Sequence, residues 1–184
     1  PGAGGSVFSP SGLGRYLNVS APQPLDSTHR LEAFDCGQPA LTAWLLQHGR
    51  QAQGSGSART FVVCEQKRVA GYYSLTVGQI DTLQAPERVR RGMGQYPIPL
   101  VILARLAVDL GYQKRGLGYS LLQDAIMRTL AVAEHAGIRA LLTHPIDAQA
   151  DAFYRRFGFE PTPLQDRQLI LLLKDARRLL RKIG

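Results

Sequence analysis

Between Gln113 and Gly118 the chain reads Gln-Lys-Arg-Gly-Leu-Gly, after the apolar run Pro99–Leu110 and ahead of a helical pattern. At a strand-to-helix junction the first amides of the helix have no partner inside it, and the positive end of the helix dipole adds to their pull on an anion. Gly116 and Gly118 would let a ligand approach the backbone closely. Binding a pyrophosphate is the chemistry that fits. A P-loop carries Lys and then Ser or Thr directly after its last glycine, whereas Leu117 and Gly118 follow Gly116. A dinucleotide fingerprint begun at Gly116 needs its third glycine where Leu121 stands. Lys114 and Arg115 read either as a solvated turn or as ligand contacts. Basic side chains beside a helix N-terminus oppose its dipole, which favours contact for at least one of them.

Tyr154, in the stretch Ala-Phe-Tyr-Arg-Arg-Phe-Gly-Phe, carries a phenol with an ordinary pKa of about 10 that stays protonated at neutral pH and can donate to a leaving group. Its spacing equally suits an aromatic residue sharing an apolar face with Phe153 and Phe157. His144 before Pro145 reads as a turn histidine and Asp147 as a helix cap, although either could position an acceptor. No histidine or cysteine shows metal-ligand spacing, so no metal is expected, and Cys36 and Cys64 read as reduced and buried.

Helical and strand periods supply the elements that must hold these residues. Leu41, Trp44, Leu45 and His48 lie at helical spacing, with Pro39 in the first turn and Gly49 as the expected stop. Residues 51–58 read as a flexible loop, and 59–80 as two strands joined near Gln66–Arg68. Residues 84–97 are polar and basic, predict one helical turn and lie near the surface. Pro99–Leu110 has almost no polar face, as a strand covered on both sides would. A helix from Gly118 to a stop at Gly137, a strand over 138–144, a short helix capped by Gly158, a strand Gln168–Leu173 and a basic helix complete the order.

A chain of 184 residues, 45% of them apolar, suits one domain. Residues 1–21 are rich in Gly, Ser and Pro and read as a flexible tail ahead of a domain over 22–184. No apolar run approaches the roughly 18 residues of a spanning helix, and the N-terminus lacks a leader pattern, so a cytoplasmic protein is expected. Against 14 Asp and Glu stand 22 Lys and Arg, a formal charge of +8 that favours nucleic acid, an acidic protein or phosphorylated ligands. Arg88, Arg90 and Arg91, with Arg155 and Arg156, are the clusters suited to RNA phosphates. The set Lys174, Arg177, Arg178, Arg181 and Lys182 suits RNA or an acidic protein segment equally.

The stretch Leu-Ala-Val-Asp-Leu-Gly-Tyr-Gln-Lys-Arg-Gly-Leu-Gly resembles the acyl-coenzyme A motif of the GNAT acetyltransferases, Gln/Arg-x-x-Gly-x-Gly/Ala. With FDCG, RTFVVCE, VAGYYSL, RLAVD and AFYRRFGF in this order, the chain from Pro22 to Pro163 resembles the GNAT-type toxins of bacterial toxin–antitoxin pairs, which acetylate the amino group of aminoacyl-tRNA. The resemblance implies an α/β (α+β) fold with a central mixed, twisted sheet flanked by helices. It implies acetyl-CoA as co-substrate, backbone groups of Leu106, Ala107 and Val108 along the pantetheine arm, a pyrophosphate cradle from Gln113, Lys114, Arg115, Gly116, Leu117, Gly118 and Tyr119, and Tyr154 as the acid. It further implies a homodimer and an acidic antitoxin of the DNA-binding ribbon-helix-helix kind. Acetylation of a protein or small amine, and a non-catalytic acyl-CoA or RNA-binding module, are the competing functions.

Overall fold

The computed structural model describes residues 18–183. Residues 1–17 of the expected tail lie outside them. Within the remainder Ser20 is tied down, donating from its N–H to the carbonyl of Cys64 at 2.7 Å and accepting from the Cys64 N–H at 3.0 Å.

Seven strands form one mixed sheet in the order β1-β2-β3-β4-β5-β7-β6. They are β1 (Gln23–Pro24), β2 (Arg59–Glu65), β3 (Arg68–Ile80), β4 (Ile98–Val108), β5 (Ala140–Thr143), β6 (Glu160–Pro161) and β7 (Leu169–Leu172). β4 and β5 run parallel, while β5 with β7, β6 with β7 and β1 with β2 run antiparallel. The α-helices are α1 (Pro39–Trp44), α2 (Arg50–Ser55), α3 (Glu87–Arg90), α4 (Leu117–Ala133), α5 (Ala148–Arg156) and α6 (Leu173–Ile183). The expected mixed sheet with helices is present. The two-residue strands β1 and β6 are too short to show a period, and no sequence signal marks them.

The chain divides into two compact units, residues 18–73 with Leu106–Leu122, and residues 74–105 with 123–183. The first is built around Leu25, Leu31, Phe34, Leu45, Val62, Val69 and Tyr72. Tyr72 is fully buried, with Phe34 edge-on at 5.5 Å, Trp44 stacked at 6.0 Å, and its hydroxyl spent on the carbonyl of Leu41 at 2.7 Å. Gly49 does not stop the helix. The backbone widens into a π turn over Leu45–Gly49 and continues through α2 to Gly56, whose φ of +76° ends it, so most of the expected 51–58 loop is helical. A Cβ at position 49 would stand 3.2 Å from Leu45 Cδ1 and 3.4 Å from Leu25 Cδ2. Gly49 thus serves close packing, a use that reads as a stop signal when only the sequence is seen.

The second unit buries Ile80, Val89, Ile98, Leu100, Leu142, Ile170 and Leu172. The segment expected near the surface, 84–97, holds α3, yet Ala85 and Val89 point into this core. Arg139 fastens α3 by donating to the carbonyls of Val89 at 2.9 Å and Arg91 at 3.0 Å, where a helix end favours a cation. Gly78 of β3 leaves room for Ile102 of β4, since a Cβ there would lie 2.6 Å from Ile102 Cδ1. Both cysteines are buried and free, and burial pushes the Cys64 thiol up to about 11.

Candidate active site

β5 pairs β4 only from Leu100 to Leu103, although β4 continues to Val108. In a strand, neighbouring residues direct their polar groups to opposite edges. The carbonyls of Pro99 and Leu103 face β5, accepting from Arg139 N–H at 2.9 Å and from the Thr143 hydroxyl at 3.0 Å. Beyond the strand, Asp109 N–H donates to the Ala70 carbonyl of β3 at 2.9 Å. Leu106 and Val108 are half-buried, with Ala107 buried between them.

Past β4, a short 3₁₀ turn, Leu110–Tyr112, leads to the glycine-containing turn and α4. Lys114 at φ +61° and Gly116 at φ +81° are both left-handed, with Arg115 between them. Such reversals turn successive amides to one concave side and make an anion nest. For a lysine that conformation is strained, and strain of this kind concentrates at ligand sites. Among the described residues no backbone carbonyl accepts from the amides of Lys114, Arg115 or Gly116, and Leu117 and Gly118 open α4, where N–H groups lack helical partners. Lys114 and Arg115 are exposed, Leu117 is buried and Tyr119 is half-buried. The Gln113 side chain behaves differently, turning back to donate to the carbonyls of Val108 at 2.8 Å and Cys36 at 3.0 Å. It fastens the turn, and among the expected cradle residues it contributes no free side-chain donor.

Tyr154 sits in α5, whose start is capped by Asp147 accepting from Ala150 N–H at 2.8 Å. The Asp147→Ala variant should lose about 1 kcal/mol of stability, read as a lower denaturant midpoint at unchanged slope. Tyr154 is 6% exposed, with Phe153 at 5.2 Å and Phe159 at 5.4 Å between ring centroids. Phe153, expected on the buried face, is only half-buried, and the buried members of this stretch are Tyr154, Phe157 and Phe159. Burial pushes the phenol up to about 12, while side-chain hydrogen bonding with Thr143 works in the opposite direction. Thr143, at the end of β5, was not singled out by the sequence because a lone threonine in an apolar strand carries no motif.

The family model described as an acetyltransferase (GNAT) domain matches residues 56–161. A tRNA-acetylating toxin of Mycobacterium tuberculosis (strain ATCC 25618 / H37Rv) is 42% identical over 161 residues, covering 88% of this chain and 96% of the toxin. The chain is a GNAT acetyltransferase. Among solved structures, AtaT complexed with acetyl-methionyl-tRNAfMet superposes with a TM-score of 0.82 at 25% identity, over 88% of this chain and 99% of that one. A mutant AtaT bound to the C-terminus of the antitoxin AtaR and acetyl-CoA does so with a TM-score of 0.74 at 26% identity, over 89% and 98%.

The acetyltransferase spends much of its expected RNA-binding charge internally. Arg88 pairs with Asp175 at 2.5 Å and Glu160 at 3.8 Å, Arg91 with Glu87 at 3.3 Å, and Arg155 with Asp151 at 2.5 Å. Arg90 and Arg156 are exposed and join no ion pair among the described residues. On α6, Arg177 meets Glu134 at 3.5 Å and Arg178 meets Asp175 at 3.7 Å, whereas Lys174, Arg181 and Lys182 are exposed. The His144 ring is also committed. Gln168 Oε1 accepts from the Thr162 hydroxyl at 2.8 Å, and Gln168 Nε2 gives one proton to Gln165 Oε1 at 2.9 Å and faces His144 Nε2 at 3.0 Å. With both amide protons directed outward, His144 Nε2 is the acceptor and its proton resides on Nδ1. Among the described residues, no cluster of His, Cys, Asp and Glu could hold a metal ion, and no helix is long and apolar enough to cross a membrane.

Proposed function

We propose that this GNAT acetyltransferase moves the acetyl group of acetyl-CoA onto the α-amino group of aminoacyl-tRNA, and that capping this amine stops translation. The observation that carries the reading is its near full-length kinship with a tRNA-acetylating toxin. The pyrophosphate is received by the amides of Lys114 to Gly118, with Lys114 and Arg115 beside them, and the pantetheine arm runs along Leu106, Ala107 and Val108. The amine attacks the thioester carbon, the carbon–sulfur bond breaks, and the Tyr154 hydroxyl hydrogen-bonds to the departing sulfur and gives it a proton. A phenol near 12 is a weaker acid than a free one, and side-chain hydrogen bonding with Thr143 works against that rise. No base is needed for the amine. An amine next to an ester is less basic than a lysine, whose reference pKa is about 10.4, and water can take its proton.

Incubating the protein with acetyl-CoA and total charged tRNA, then identifying acetylated aminoacyl-adenosines by mass spectrometry, tests the reading. A product found only on protein lysines or small amines would replace the substrate, and no turnover would leave a binding module. Arg90 and Arg156 supply phosphate contacts. Replacing each by Gln should lower the slope of log affinity for tRNA against log salt by roughly 0.7–0.9 for each phosphate no longer neutralised, while Arg88→Gln should act on stability through the ion pairs it breaks. A cognate acidic antitoxin of the ribbon-helix-helix kind, a homodimer and a cytoplasmic site of action, where charged tRNA is found, complete the proposal. Co-purification from cells encoding both partners tests the antitoxin.

A further inference from the structure

Asp109 is a carboxylate only 3% exposed, placed directly after the last residue of β4. A buried carboxylate is costly unless its oxygens are filled. Oδ2 accepts from the Asp35 N–H at 3.0 Å, and Oδ1 accepts from the Gly111 N–H at 2.9 Å with the Arg68 guanidinium at 3.4 Å. Leu110 N–H donates to the Asp35 carbonyl at 2.8 Å. On the far side of the 3₁₀ turn, Gln113 Nε2 reaches the Cys36 carbonyl at 3.0 Å. Asp109 before the turn and Gln113 after it therefore grip the same short segment, Asp35–Gly37. That segment is itself folded tightly, with Gly37 at φ +80° and its N–H donating to Asp35 Oδ1 at 2.8 Å.

We propose that Asp109 is a positioning residue for acetyl-CoA: by clasping Asp35–Gly37 to the end of β4, it fixes the aim of the amides of Lys114–Gly118 at the pyrophosphate. The proposal rests on the reading of that turn as the pyrophosphate site. The backbone of FDCG does the holding, so its role is invisible in the chemistry of its side chains. Asn at position 109 keeps one oxygen for Gly111 N–H but presents an amide N–H to the Asp35 N–H, which opens the clasp with little change in volume. A displacement of about 1 Å in a positioned group can cost orders of magnitude, so a tenfold effect is a modest expectation.

The test compares two acetyl donors on the full chain. In Asp109→Asn the calorimetric Kd for acetyl-CoA should rise about tenfold, and kcat at saturating acetyl-CoA with charged tRNA should stay close to the parent value. With S-acetylpantetheine, which has no pyrophosphate, kcat/KM should not change. Gln113→Leu removes the second grip and should likewise raise the Kd for acetyl-CoA, which carries the test should the Asn variant not fold; because its amide also holds the Val108 carbonyl beside the pantetheine arm, the two-donor comparison is made on Asp109→Asn. Unchanged acetyl-CoA affinity in the folded variants, or an equal loss with both donors, would overturn the clasp. A Gly116→Val control separates the two levels: if it too leaves affinity intact, the turn is not the pyrophosphate site, whereas loss there with full affinity in Asp109→Asn sinks the clasp alone.

Discussion

Replacing Tyr154 by phenylalanine is expected to lower kcat by about 10²–10⁴-fold while acetyl-CoA affinity survives. The ring is what packs against Phe153 and Phe159, and phenylalanine keeps it, so the variant isolates the hydroxyl. Both kinetic constants must be compared at matched folding, by melting temperature and circular dichroism. A parallel loss in kcat and kcat/KM assigns the hydroxyl to the transition state, and equal activity would return Tyr154 to a purely packing role. The alkaline side gives a second reading of the same group. Because burial holds the phenol at about 12, its proton is retained throughout neutral and mildly alkaline pH. The rate should therefore rise as the acceptor amine loses its proton and show no falling limb until pH approaches that value. A fall near pH 9 would mean that another acid is in use.

Gly116→Val is expected to weaken acetyl-CoA binding by about 100-fold, the worth of about two charge-assisted hydrogen bonds. Gly116 holds φ at +81°, where a β-branched residue is strongly disfavoured, so the backbone must leave the left-handed region and carry neighbouring amides with it. The cost to folding is local and of the order of 1–3 kcal/mol, whereas the loss of affinity is global for the ligand. Calorimetry on the folded variant decides the matter. Unchanged affinity would show that the pyrophosphate lies elsewhere.

The parts of the molecule readable in the sequence are those where one element carries its own signal. β4 shows an apolar run interrupted only by Arg105, the turn from Gln113 to Gly118 lies between two clear periods, and Gly158 closes α5 at φ +87° as its position suggested. Bonds between distant residues left no such trace. Asp35 and Asp109 are 74 residues apart, and nothing local to either predicts their hydrogen bond. Gln113 was assigned to the ligand because it stands in the motif, while its amide faces inward to Val108 and Cys36. Of the clustered arginines, Arg91 and Arg155 have carboxylates four residues earlier, a spacing the sequence itself displays, whereas the Asp175 partner of Arg88 is brought near only by the fold.

The space shared by Gly78 and Ile102 makes two positions on neighbouring strands behave as one locus. A Cβ at 78 would collide with Ile102 Cδ1 at 2.6 Å, and Ile102→Val removes that carbon. Gly78→Ala introduced first forces the half-buried Ile102 to swing its terminal methyl aside, at the cost of that rotamer change. Ile102→Val introduced first should cost only about 0.5–1.5 kcal/mol and leave a gap of matching size. The alanine then fills it, so the double variant should be more stable than the sum of the single effects, by about 0.5–3 kcal/mol of coupling. The order in which a lineage makes the two changes then sets the cost of the intermediate, with valine at 102 before alanine at 78 the route that asks no rotamer change of its neighbour.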